Sequence, residues 1–158
     1  MANIKTIIDE LETIATASTA INTFIFEEIS SINDDIAKTY PALLVNSRSV
    51  NYSNDGFDNT YLPKKKIYTL QIYFLDLYKE SEQSTTDKQT KYKNLELIAD
   101  QYLAELKRRT IESYIGFDFT NGANGFEVDK LHNDSLVQVL YTITITAKQN
   151  CTVGTFNY

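Results

Sequence analysis

The stretch Val137–Lys148 alternates without interruption. Val137, Val139, Tyr141, Ile143, Ile145 and Ala147 share one parity, and Gln138, Leu140, Thr142, Thr144, Thr146 and Lys148 share the other. Successive side chains of a strand point to opposite faces, so this pattern predicts a strand with one buried and one polar face. A one-residue slip in its pairing would turn the apolar set to solvent, which fixes the register. The chain must therefore build a sheet around this segment and cover one side of it. A second long strand is predicted over Ile67–Tyr78, where Tyr68, Leu70, Ile72 and Phe74 share a face. It runs for about a dozen residues against a usual five or six. The apolar phase then moves to Leu75 and Leu77, which predicts a bulge or a strand continuing beyond the core.

Two helices are expected to cover that sheet. Ile4, Ile7, Ile8, Leu11, Ile14 and Ala15 form a helical stripe, with Asp9, Glu10 and Glu12 off it. Asn3 suits the N-cap, and the helix is expected to end near Thr16–Ser18. A second, charged helix is expected over Asp87–Arg109. Its stripe is Tyr92, Leu95, Ile98, Ala99, Tyr102 and Leu106, Thr86 and Gln89 have capping-box spacing, and Lys107, Arg108 and Arg109 suit the C-terminal dipole.

Shorter elements complete the pattern. Thr23–Glu27 reads as a short strand and Ser30–Lys38 as a polar turn. The residue before a proline avoids helical geometry, so Tyr40-Pro41 leads into an extended Ala42–Asn46, whose Leu43, Leu44 and Val45 suit a central strand. Ile115–Phe119 and Phe126–Lys130 flank the turn residues Asn121-Gly-Ala-Asn-Gly125, a hairpin signal. Thr152–Tyr158 offers an edge strand. No repeat and no domain boundary is visible. The expected fold is a single α+β domain over residues 1–158, a mixed, mainly antiparallel β-sheet packed against two α-helices.

Charge narrows the partners. The formal net charge of −6 lacks the basic field that a phosphate-gripping protein needs. It is also uneven. Residues 1–60 carry −6, residues 61–110 carry +3 and residues 111–158 carry −3. Such asymmetry suits an acidic face of one subunit meeting a basic face of the next, and equally a mixed solvated surface. Eleven tyrosines favour surfaces that are buried in one state and wet in another. A single cysteine, Cys151, excludes an intramolecular disulfide framework. No apolar run is long enough to cross a bilayer and no secretory segment opens the chain, so a soluble product of the cytosol, without membrane contact, is expected.

Catalytic chemistry finds little support in the side chains. His132 and Cys151 are the only residues of their kinds, and a nucleophilic pair would need them to meet with an orienting third group. Asp118, Asn121, Asn124, Glu127 and Asp129 offer oxygen ligands, but their spacing misses the helix–loop–helix calcium pattern and matches turn chemistry. Asp9, Glu10, Glu12, Glu27 and Glu28 are acidic without any sign of a pocket. No catalytic residue, metal or cofactor is expected.

The region that does invite contact is Asn51–Lys66, the longest irregular stretch. Loops of this length in a compact domain are usually functional or disordered. Tyr52, Phe57, Tyr61 and Leu62 are unusual in a purely solvated linker, and Lys64, Lys65 and Lys66 close the segment with a basic run. These seven residues form the candidate subunit interface. The competing explanation of the lysines is a guard against aggregation at an edge strand.

The order of helix, short strand, polar Ser31-Ile-Asn-Asp-Asp35 and Tyr40-Pro-Ala-Leu-Leu-Val45 resembles small neck proteins of tailed bacteriophages. So do the long strand carrying Tyr73-Phe-Leu-Asp-Leu77, the helix over Leu95–Leu106 and the terminal strand Val137–Thr146. The resemblance covers most of the chain and is to the tail-terminator or head-completion class, in particular that of phages of Bacteroidetes, including the crAss-like group. It implies a tail-terminator-like fold and a homo-oligomeric ring, hexameric or dodecameric, at the head–tail junction of the virion. Such a ring is assembled in the host cytoplasm, joins portal or adaptor to tail proteins, and lets DNA pass without specific binding. The class supplies no catalytic residues. An acidic lumen would let DNA slide without sticking. The Asn51–Lys66 loop exceeds that of simpler terminators. Two other readings stand beside this one: a monomeric intracellular interaction module that captures a protein through the Tyr-rich loop, and a small enzyme drawing on Asp76, Asp118 and His132.

Overall fold

A computed structural model describes residues 3–26, 39–52, 65–78, 84–112, 117–119, 124–129 and 136–148. The elements run α1 (Ile4–Ala17), β1 (Thr23–Phe26), β2 (Ala42–Tyr52), β3 (Lys65–Leu77), α2 (Thr85–Glu112), β4 (Phe117–Phe119), β5 (Asn124–Asp129) and β6 (Leu136–Lys148). The sheet order is β1-β2-β3-β6, with β4 and β5 both on the outer edge of β6. Only β1 and β2 pair in parallel, and the other ladders are antiparallel. The expected α+β class, with a mixed and mainly antiparallel sheet on two helices, is what the chain adopts.

Each helix begins where a polar side chain satisfies the backbone N–H groups that a first turn leaves unpaired. Asn3 caps α1, accepting from the Thr6 N–H at 3.0 Å, while the Thr6 hydroxyl accepts from the Asn3 N–H at 2.7 Å. For α2 the capping box is Ser84 and Asp87, not Thr86 and Gln89. The Asp87 carboxylate accepts from the Ser84 N–H at 2.7 Å, and the Ser84 hydroxyl accepts from the Asp87 N–H at 3.2 Å. A carboxylate near a helix N-terminus is the stronger partner for exposed N–H groups, which sets the start before Thr85. Hydrogen bonds from Ser84 hold the Asp87 carboxyl below its ordinary range.

The two long strands form the centre of the sheet. From Lys65↔Lys148 to Leu77↔Leu136, β3 and β6 stay in register along their whole length. On one face Leu43, Val45, Tyr68, Leu70, Ile72, Phe74, Val137, Val139, Ile143, Ile145 and Ala147 pack with the apolar stripes of both helices. The opposite face is buried at one end alone, where Ala42, Leu44, Tyr73, Leu75, Leu136 and Leu140 cluster, joined by Ile25 and Tyr40. The move of apolar phase to Leu75 is therefore burial on both faces and not a bulge in β3. The bulge lies in β2, between Ser47 and Ser49. Nor is the second face of β6 uniformly polar, since Leu136, Gln138 and Leu140 are buried on it.

Two other expectations change. After a cis Tyr40-Pro41 bond, β2 runs on to Tyr52, well past Asn46. The segments around Asn121–Gly125 do not pair with each other: β4 lies along Ile145–Ala147 and β5 along Val137–Thr142, so both extend one edge of β6. Thr152–Tyr158 lies outside the described residues, as does the Ser30–Lys38 turn.

Candidate interaction surface

Of the seven residues expected at a subunit interface, the structure describes three. Tyr52 closes β2 directly opposite Lys66, and Lys65 opens β3 opposite Lys148. These positions meet at one end of the central strands, with Lys65 exposed. Phe57, Tyr61, Leu62 and Lys64 lie outside the described residues. Asn51, Tyr52, Lys65 and Lys66, expected in the irregular segment, belong to strands.

The placement bears on what the lysines do. Lys66 is paired on both sides, opposite Tyr52 of β2 and Ala147 of β6, so it guards no open edge. Part-way along the same strands, at the β2 bulge, Gln71 Oε1 accepts from Arg48 Nε at 2.5 Å and from the Tyr73 hydroxyl at 3.0 Å. The bulge that brings Arg48 to Gln71 carried no signal in the sequence.

The acidic side chains of α1 are structural or solvated. Asp9 pairs with Lys5 one turn earlier, and Glu12 is exposed. Glu10 receives the guanidinium of Arg109, tying α1 to α2. Glu105 is shared between Arg108 and Arg109, and the hydrogen bond from Arg108 is the main reason that its carboxyl is held down to about 2. Glu10 and then Glu105 raise the pKa of Arg109 in turn. Glu27 and Glu28 lie outside the described residues.

Nothing described gathers the residues of a catalytic site. Asp76 accepts from Lys91 at 3.1 Å and from the Leu77 N–H at 2.8 Å, so it closes the junction of β3 with α2. Asp118 stands on β4, opposite Thr146, whereas Asp76 faces Val137. Nine positions of strand separate those two levels, about 30 Å. His132, Cys151 and Asn121 lie outside the described residues. Among the described residues there is no group of three or more His, Cys, Asp or Glu able to hold a metal ion, and no helix is long and apolar enough to cross a membrane. The described concavities flank the C-terminal half of α1. One is a groove against α2 lined by Ile14, Ala17, Ser18, Gln101, Tyr102 and Glu105.

Compared with known protein families and curated proteins, the chain matches no family model and no curated relative.

Proposed function

We propose that this chain is a structural protein of a phage virion that forms a ring at the head–tail junction. It joins portal or adaptor to tail and leaves a channel through which DNA passes. The observation that carries the reading is the order of elements: a capped helix, a short strand, the Pro41-led strand, a long strand, a long helix and a long terminal strand. They condense into one sheet with both helices on the same face.

Two further features support assembly over catalysis. Lys65, exposed at one end of the central strands, offers a cation to an acidic neighbouring surface. The chain is acidic overall, at −6, which suits a wall past which DNA must move freely. In this reading the segment between Tyr52 and Lys65, with Phe57 and Tyr61, is the arm that reaches a neighbouring subunit. Negative-stain imaging of the purified chain, alone and mixed with a portal complex, tests the proposal. Rings with a central channel are expected in at least one of the two, and dispersed single chains in both would overturn it.

A further inference from the structure

The ladder between β2 and β3 is interrupted once, and the residue left over is Arg48. Ser47 pairs with Leu70 and Ser49 with Thr69, so Arg48 has no register partner. A bulge re-aims the side chain of its extra residue. Here it brings Arg48 to the face of the sheet opposite the helices, where Nε donates to Gln71 Oε1 at 2.5 Å. The same oxygen accepts from the Tyr73 hydroxyl at 3.0 Å.

These contacts run from the core to the surface. The Tyr73 ring, 3% exposed, belongs to the apolar cluster of Leu44, Leu75 and Leu140. Gln71 is half-buried and Arg48 exposed. Two donors on Oε1 decide which end of the Gln71 amide is the oxygen, so the exposed guanidinium is held by an amide that a buried phenol holds in turn. With Nε engaged, the guanidinium presents Nη1 and Nη2, and no acceptor among the described residues meets them. Nor does an acid stand near on this face. Around Gln71 and the bulge the ladders place Asn46 and Ser49 on β2, Thr69 on β3, and Thr142 and Thr144 on β6, all uncharged. Because β1 ends at Phe26, opposite Val45, no described strand lies beyond Arg48.

The chemistry of the missing partner follows from charge and shape. Two N–H groups in one plane match the two oxygens of a carboxylate, and one cation balances its single charge. A phosphate monoester carries nearly two charges and a nucleic-acid backbone many. A lone cation on a chain of net charge −6 suits neither. We propose that Arg48 is a docking residue for a carboxylate side chain of a partner protein, with Gln71 and Tyr73 positioning its guanidinium. This is independent of the ring reading, since the arrangement is complete within one chain.

Heteronuclear NMR of the full-length chain tests this, with acetate as the probe carboxylate. The reporters are the backbone N–H groups of Ser49 and Thr69, followed while sodium acetate, chloride or phosphate is added at matched ionic strength and neutral pH. Acetate is expected to shift them severalfold more steeply than chloride. Gln71→Leu and Tyr73→Phe are expected to lower the acetate slope about two- to fivefold, the range of an exposed ion pair. Arg48→Lys keeps the charge but loses the planar fork, and a loss of similar size is expected. Gln71→Glu gives the guanidinium an acid of its own and is expected to abolish the response. Equal slopes for acetate and chloride would mean an adventitious ion only and would overturn the proposal. So would a slope untouched by Gln71→Leu and Gln71→Glu. A steeper response to phosphate than to acetate would overturn the carboxylate assignment in favour of a phosphorylated partner.

Discussion

The buried phenol of Tyr102 on α2 donates to the backbone carbonyl of Leu11 on α1 at 2.9 Å, joining positions 91 residues apart. The same ring meets Phe74 of β3 edge-on, with centroids 5.7 Å apart. One side chain thus fixes both helices to each other and to the centre of the sheet. Tyr102→Phe keeps the ring contact and removes the hydrogen bond, so it is expected to lower stability by about 1 kcal/mol, read as a lower denaturant midpoint at unchanged slope. Burial first, then the charge of Glu10, pushes the Tyr102 phenol well above its ordinary value. The unfolded chain releases this proton near the ordinary value of 10.0 while the folded chain keeps it. Stability is therefore full below that pH and declines as pH rises beyond it. The Phe variant should show a shallower alkaline decline, and an identical decline would contradict the assignment.

Gln138 offers a sharper test of the second apolar face. It is 1% exposed, between Leu75 and Val128 in the ladders, and its Oε1 has no hydrogen-bond partner among the described residues. A buried acceptor without a donor costs stability, and an apolar replacement of similar shape relieves the cost. Gln138→Met is expected to raise stability by on the order of 1 kcal/mol in chemical denaturation. A loss of stability would show that the amide is satisfied.

Ile143 is fully buried on the helix side of β6. Ile143→Asp loses roughly 2–5 kcal/mol of packing, and the desolvated carboxylate adds to that. The sum is comparable with the whole stability of a domain, about 5–15 kcal/mol. The variant is expected to lack a cooperative melt, and a native-like one would place the buried face on the other parity.

The fold was legible where one physical term dominated. The alternation in β6 and the stripes of Ile7, Leu11 and Ile14 in α1 and of Leu95, Tyr102 and Leu106 in α2 all found their buried faces, and Asn3 its capping role. What escaped depended on neighbours. Leu75 is out of phase because Leu44, Leu136 and Leu140 bury it from the second face, and period alone cannot separate that from a bulge. The turn residues at Asn121–Gly125 signalled a hairpin, but the pairing went to β6, which offered a long edge to both β4 and β5. Of the candidate interface, the lysines were visible in the sequence but not the pairing of Lys65 with Lys148, a fact of register between strands distant in the chain.

The arm hypothesis makes its own prediction. Phe57→Ala with Tyr61→Ala is expected to weaken assembly of the full chain while leaving its melting temperature within a degree or two. Unchanged assembly would remove the segment between Tyr52 and Lys65 from the interface.

Ring assembly is read from native mass. Mass spectrometry of the intact protein, alone and with a portal complex, is expected to give six or twelve copies of the 18.0 kDa chain. A mass of one or two chains under both conditions would contradict the ring.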